Sequence, residues 1–170
     1  MDLVLCYQGR DLHLVGYSDA DWGGDQDERK STSGYAFLLN GGAITWSSKK
    51  QTCIALSIME AEYIACSAAV QEAVWLRRFL ERLGVLTVPG EPVKIFCDSM
   101  AAIGYSKDPK YHGKSKHIQM GYHFLRDMVA QKEVIIEHIP TGKMLADPLT
   151  KPIPKDVFLA HMRMLGLVRE

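Results

Sequence analysis

The chain has 170 residues, 47% hydrophobic and 24% charged, which is enough for one full core and too few for two ordinary domains. Twenty basic residues balance twenty acidic ones, so a grip on nucleic acid by bulk electrostatics is excluded and only local patches remain for such a role. No apolar run approaches the roughly 18 to 20 residues of a membrane span, and MDLVLCYQGRD lacks the charged start and long apolar core of a signal peptide, so no membrane partner is expected. The stretch LVLCYQGRD reads as the interior of a larger protein. Cys6, Cys53, Cys66 and Cys97 lie in or beside apolar runs with no C-x-x-C pair, which predicts buried free thiols and a reducing compartment.

In chain order, segments 3–7 and 12–18 are short, apolar and partly alternating, with residues 8–11 as turn material between them, and both read as strands. Residues 23–33 read as a polar loop. GYAFLLN and AITWSS then flank Gly41-Gly42, a link suited to a tight hairpin. From about 56 to 83 a stretch rich in Ala, Glu, Leu and Arg, without Gly or Pro and closed by Gly84, predicts a long helix. A strand over 93–97 follows, then a helix over 100–106 with Ser99 at its cap, a basic loop over 107–117, a helix over 118–131, a strand over 133–139, a helical turn over 144–150 and a last amphipathic helix over about 155–165. The expected fold is α/β: one domain over 1–170, its core about 12–152, with a mixed five-stranded sheet of three antiparallel and then parallel strands, flanked by helices.

In such a sheet a site is expected where strands end and helices begin. Asp19 ends one strand, Asp98 ends another, Glu62 lies in the first turns of the long helix, and Asp147 follows the last strand by a short loop. One Asp at such a place is more often a cap or turn residue than a ligand. Several carboxylates at one spot repel unless a divalent cation sits among them, so their convergence argues for metal. Glu60 and Glu62 point roughly 200° apart on the helix. Glu60 shares a stripe with Ser67, Gln71 and Arg78, which reads as the solvent face, and Glu62 shares one with Ile58, Ala65, Ala69 and Leu76, which reads as the packed face. Spacing alone does not separate Asp19 from Asp21, although Asp19 is nearer the strand.

The segments YSDADWGGD, RKSTSGYAFLLNGGAITWSSKKQ, LSIMEAEYIACSAAVQEAVWLRRFL, IFCDSMAAI, KSKHIQMGYHFLRDMV and ADPLTKP resemble, in order, the motifs of copia-type retrotransposon ribonucleases H over about residues 15–152. The resemblance implies a ribonuclease H-like fold, a catalytic and metal-binding set of Asp19, Glu62, Asp98 and Asp147, and two magnesium ions, for which manganese substitutes. It also implies metal-dependent hydrolysis of the RNA strand of an RNA/DNA hybrid during reverse transcription, a reverse transcriptase domain in the same polyprotein as partner, and no small-molecule cofactor. The expected location is the cytoplasm, in a retrotransposon particle, or the nucleus. On this resemblance Asp19 bridges the ions, Asp98 and Glu62 hold one, and Asp147 holds the other. The sequence departs from the usual family wording at HIQM and at Ile58, neither of them at a carboxylate. HIPTGKMLAD offers only His138, inside a strand, where cellular ribonucleases H carry a loop histidine.

The segment KDPKYHGKSKH has four lysines and two histidines against one Asp, a basic patch suited to phosphates and equally readable as a solvated loop. Lys116 and His117 belong to a matching motif and are the preferred substrate contacts, with Ser99, Lys49, Lys50 and Gln51 as further candidates. His123 reads as a helix-surface residue, and Trp46, Trp75 and Phe79 as core; Tyr63 and Trp22 are candidates for a groove lining that read more economically as buried. The alternative function is a catalytically inactive or domesticated nucleic-acid-binding relic, against which stand four intact carboxylates. An integrase-like strand transferase and a purely structural partner of the polymerase are the remaining classes.

Overall fold

The computed structural model describes residues 2–9, 12–25, 27–86, 88–107 and 116–169, apart from the side chains of 116–120 and 122. Its main sheet is built from β2 (Val15–Asp25), β3 (Lys30–Leu39), β4 (Gly42–Lys50), β5 (Val93–Cys97) and β6 (Val134–His138), in the order β4-β3-β2-β5-β6. The first three are antiparallel, and β5 and β6 run parallel to β2. This is the mixed sheet expected from the sequence. Around it lie α1 (Ile58–Arg82), α2 (Met100–Lys107), α3 (Lys116–Ala130) and α4 (Lys155–Met164).

Several boundaries differ from the sequence reading. Residues 3–7 do not pair with the next strand: β1 (Leu3–Leu5) and β7 (Leu167–Arg169), a strand the sequence did not announce, make a separate two-stranded antiparallel sheet. Most of the stretch read as a polar loop over 23–33 is strand. β2 runs on through a bulge between Asp21 and Asp25, and the turn is confined to the few residues before Lys30, where the Asp25 carboxylate accepts the N–H groups of Asp27 and Glu28. The β3–β4 turn is Asn40-Gly41, not Gly41-Gly42. Both residues have positive φ, and Leu39 faces Gly42, the arrangement that Asn-Gly favours in a two-residue hairpin.

Ser57 caps α1, its hydroxyl accepting the Glu60 N–H, and Gly84 follows the helix in the left-handed region. Ala61, Ala65, Ala69 and Ala73 recur every four residues and are all buried, so the helix lies close on the sheet. Its packed side meets Phe37, Ile95 and Leu125 in the main core, and Ala61 and Ala65 meet Ala20 of β2 in a small cluster of their own. Ser67, read as solvent-facing, is buried under α3 and donates to the Gly121 carbonyl at 2.9 Å.

Trp46, Trp75 and Phe79 are not core: they are 60%, 57% and 46% exposed. Trp75 and Phe79 stack one turn apart on the outer side of α1 with rings nearly parallel, and Trp46 stands on the edge strand β4. Tyr63 is fully buried, and Trp22 is half exposed with its indole N–H on the Ala55 carbonyl. All four cysteines are free thiols; Cys66 and Cys97 are buried, Cys6 and Cys53 only partly. Among the described residues no helix is long and apolar enough to cross a membrane.

Candidate active site

Two central parallel strands set the site. Tyr17 of β2 pairs with Phe96 of β5, so Asp19 and Asp98, each two residues further on, lie at the same level on neighbouring strands; Asp98 follows the end of β5, whereas Asp19, read as ending its strand, lies inside β2, which continues to Asp25 beside β3. Packing of Ala61 and Ala65 on Ala20 carries Glu62 to the same place, where the Ala20 N–H bonds its carboxyl group. Asp147 arrives on a short 3-10 turn, Asp147–Leu149, anchored by the buried run Met144-Leu145-Ala146. Asp19, Glu62 and Asp147 are 1%, 4% and 6% exposed, and Asp98 is half-buried. A carboxylate oxygen of Glu62, one of Asp98 and the Cys97 sulfur all lie within 4.8 Å of one another.

The electrostatics follow from this crowding. Burial pushes the Glu62 carboxyl up to about 9, helped by the charges of Asp19 and Asp98. Burial also raises Asp19, with Asp147 and Asp98 adding to the rise and Thr150 and Lys151 opposing it. Cys97 is held as a thiol by its hydrogen bond with Cys66 and by burial. Asp19 Oδ1 and Glu62 Oε2 are buried without a hydrogen-bond donor among the described residues, while the buried Asp147 Oδ1 faces the Lys151 ammonium at 3.1 Å. The close carboxylate oxygens of Glu62 and Asp98 are the donor type a hard divalent cation takes. Glu62 and Asp98 therefore fit such an ion, with the charges of Asp19 and Asp147 close by.

The chain is 44% identical over 163 residues to the retrovirus-related Pol polyprotein from transposon TNT 1-94 of Nicotiana tabacum, which covers 96% of this chain and 12% of that polyprotein. No family model matches. Among solved structures it resembles LC11-RNase H1 in complex with an RNA/DNA hybrid (TM-score 0.57, 18% identity, 81% of this chain and 93% of that one). It also resembles the N-terminal ribonuclease H domain of rv2228c from Mycobacterium tuberculosis, solved as a fusion with maltose-binding protein (TM-score 0.56, 16% identity, 90% and 98%). The chain is a homologue of retrotransposon Pol polyproteins with the ribonuclease H fold. It spans about a tenth of the length of the Pol polyproteins it matches.

Within this ribonuclease H fold, three residues that the sequence reading did not single out orient the carboxylates. Thr141 donates to Asp98 Oδ2 at 2.7 Å, and the Thr150 hydroxyl donates to Asp19 Oδ2. The Lys151 ammonium lies 3.1 Å from Asp147 Oδ1 and 3.5 Å from Asp19 Oδ2. Thr150 and Lys151 were legible in principle, three and four residues after Asp147 in ADPLTKP; nothing in the sequence pointed to Thr141.

The expected substrate contacts are scattered around this centre. The Ser99 hydroxyl accepts the Ala102 N–H and starts α2, as its position predicts. Lys49 is exposed on the rim of a cleft of about 460 Å³ between β3, β4 and α1. Lys50 is ion-paired with Asp25 and Glu28 across the hairpin. Gln51 is buried, donating to Ser33 and to the Ala61 carbonyl, and so ties the start of α1 to the sheet. Lys116 and His117 open α3 with side chains outside the described residues, as is the loop over 108–115. His123 is exposed, as expected of a helix-surface residue, and His138 ends β6 exposed, level with Cys97.

Proposed function

We propose that the chain is a metal-dependent endoribonuclease that hydrolyses the RNA strand of an RNA/DNA hybrid during reverse transcription of a retrotransposon. The observation that carries this reading is the gathering of four carboxylates around the central parallel strands β2 and β5, with Asp19 Oδ1 and Glu62 Oε2 buried without a hydrogen-bond donor among the described residues. The Pol homology and the ribonuclease H fold favour that chemistry over other uses of an acidic cluster.

In this reading Asp19, Glu62, Asp98 and Asp147 hold two magnesium ions, or manganese in their place. When bound, such ions lower the pKa of the attacking water and stabilise the leaving 3′ oxygen. The chain's own contribution is to fix its ligands. Thr150 holds Oδ2 of Asp19 and leaves Oδ1 bare, while Thr141 turns Asp98 by its Oδ2. Glu62 keeps its proton until a cation replaces it.

The hybrid lies across the site and is read by shape and 2′-hydroxyls, not by base sequence. Lys49 at the cleft, Lys50, Ser99, and Lys116 and His117 at the start of α3 are the proposed contacts to its backbones. With no excess of basic residues the affinity is low and strongly salt-dependent. The reverse transcriptase domain of the same polyprotein supplies the rest of the grip, in the cytoplasm within the retrotransposon particle or in the nucleus. The test is cleavage of a labelled RNA/DNA hybrid beside double-stranded DNA and double-stranded RNA, with magnesium and with chelator. Magnesium-dependent cutting of the hybrid's RNA strand alone is expected. Binding of the hybrid without cutting, including when the polymerase domain is joined to the chain, would instead identify a non-catalytic relic.

A further inference from the structure

We propose that the outer face of α1 at Trp75, Arg78, Phe79, Arg82 and Leu83 is a docking surface for the reverse transcriptase domain of the same polyprotein, which meets it with acidic side chains around an apolar recess. The partner is taken from the polyprotein reading above; the carboxylate cluster has no part in the contact.

These five residues follow one another at helical spacing and so share one side of α1, opposite the buried Ala73, Leu76, Arg77 and Leu80. A helix side turned to solvent is ordinarily polar. Here it carries two aromatic rings and a leucine, all exposed. Trp75 and Phe79 stack with centroids 5.3 Å apart and 5° between their planes, so the pair is already ordered before anything binds it.

The arginines beside the rings are uncompensated. Neither Arg78 nor Arg82 makes an ion pair or a side-chain hydrogen bond among the described residues. The acids of the same stretch are engaged elsewhere: Glu72 accepts the Thr45 hydroxyl at 3.2 Å, and Glu81 accepts the Gly90 N–H at 2.9 Å and faces Arg77. Two free positive charges around bare rings, in a chain of zero net charge, select a partner that is acidic and apolar together. A second copy of the chain would set arginine against arginine.

Protein is favoured over nucleic acid. The two rings close on each other in one stack and leave no gap for a base between them. Trp75 and Leu83 follow Glu62 by 13 and 21 residues on the same helix, which places the face about 20–30 Å along its axis from that carboxylate. Tryptophan, phenylalanine and arginine are the residue types that anchor protein interfaces. Five residues are far fewer than the roughly 20–30 a side of a stable free interface. A tethered partner needs less, because the linkage holds it at about millimolar effective concentration. The Pol relatives supply that tether, since this chain spans about a tenth of their length and the remainder is covalently joined to it in them.

The experiment is hydroxyl-radical labelling read by mass spectrometry, on the chain alone and on a polypeptide in which the reverse transcriptase domain is joined to it. Trp46, exposed on β4, is the internal reference. Trp75 and Phe79 are expected to label at least about fivefold more slowly in the joined protein, and Trp46 at an unchanged rate. Arg78→Glu with Arg82→Glu in the joined protein is expected to return labelling to that of the chain alone, while Arg78→Lys with Arg82→Lys keeps the protection. Circular dichroism of the same substitutions in the chain alone establishes that they leave it folded. Equal labelling of Trp75 in the two proteins, or protection that survives the charge reversal, would overturn the proposal. So would protection of the chain alone that grows with its own concentration, which identifies a second copy, or with added single-stranded RNA, which identifies nucleic acid. Hybrid cleavage is read on the same samples. Cleavage without protection leaves the nuclease reading standing and the docking surface refuted; protection without cleavage does the reverse.

Discussion

Asp19 and Gly34 are partners across the β2–β3 ladder, and the missing side chain at 34 is what admits the segment that grips Asp19. A Cβ at Gly34 would lie 2.6 Å from the Thr150 methyl and 3.0 Å from the Leu149 Cβ. The close approach lets the Thr150 hydroxyl reach the carboxylate and seats Asp147 beside it.

Gly34→Val should therefore damage site and stability together. Forcing a side chain into this contact is expected to cost about 1–3 kcal/mol of unfolding free energy in a denaturant titration. Magnesium should then shift the thermal midpoint less than in the intact chain. An undiminished shift would mean that the Thr150 segment does not position Asp19.

Glu62 supplies a pH signature. Its carboxyl is pushed up to about 9 in the folded chain, against an ordinary value of 4.5 when unfolded. Between those values the folded state binds the extra proton, so this contribution to stability is fully present below 4.5 and is lost as pH rises toward 9. In chelator, Glu62→Gln should match the intact chain near pH 5 and be more stable than it near pH 8. Saturating magnesium should narrow the gap at pH 8, since an ion at 100 times its dissociation constant adds about 2.7 kcal/mol to the chain that binds it. Parallel thermal midpoints across this range would show that Glu62 is not buried as described.

Lys49 and Gln51 are two residues apart and should separate cleanly. Gln51 is buried and donates at 2.8 Å to Ser33 and 2.9 Å to the Ala61 carbonyl, so Gln51→Ala is expected to cost about 1–3 kcal/mol in stability. Lys49→Ala on the exposed rim should stay within about 0.5 kcal/mol of the intact chain. It should instead weaken hybrid binding and reduce the salt slope by about one. Equal hybrid affinity with and without the lysine would remove Lys49 from the substrate path.

The strand order of the main sheet, α1 and the packed side of Glu62 were legible because each rests on local pattern: alternation in the strands, Gly84 at the end of α1, and a stripe that puts Glu62 inward; Asp19, read as ending its strand, lies inside β2 because pairing with β3 carries that strand on to Asp25. The β1–β7 pair was not legible. It joins three-residue strands from opposite ends of the chain, and no local signal announces such a partner. The GGDQD stretch reads as a turn by composition, yet pairing with β3 and a bulge keep most of it in β2. Ser67 fails the stripe rule because α3 covers that side of α1 as well, at Gly121. Trp75 and Phe79 look like core by residue type but shelter one another instead. The Thr141 contact to Asp98 depends on two loops meeting across 43 residues of sequence, which only the fold brings about.

Cleavage of a hybrid labelled on its RNA strand, by the chain with Asp19, Glu62, Asp98 and Asp147 changed singly to the amide, tests the central claim most directly. The intact chain is expected to cut that strand only when magnesium is present, and each variant, folded by circular dichroism, to lose the activity. Cutting that persists in chelator, or in all four variants at the rate of the intact chain, would contradict it.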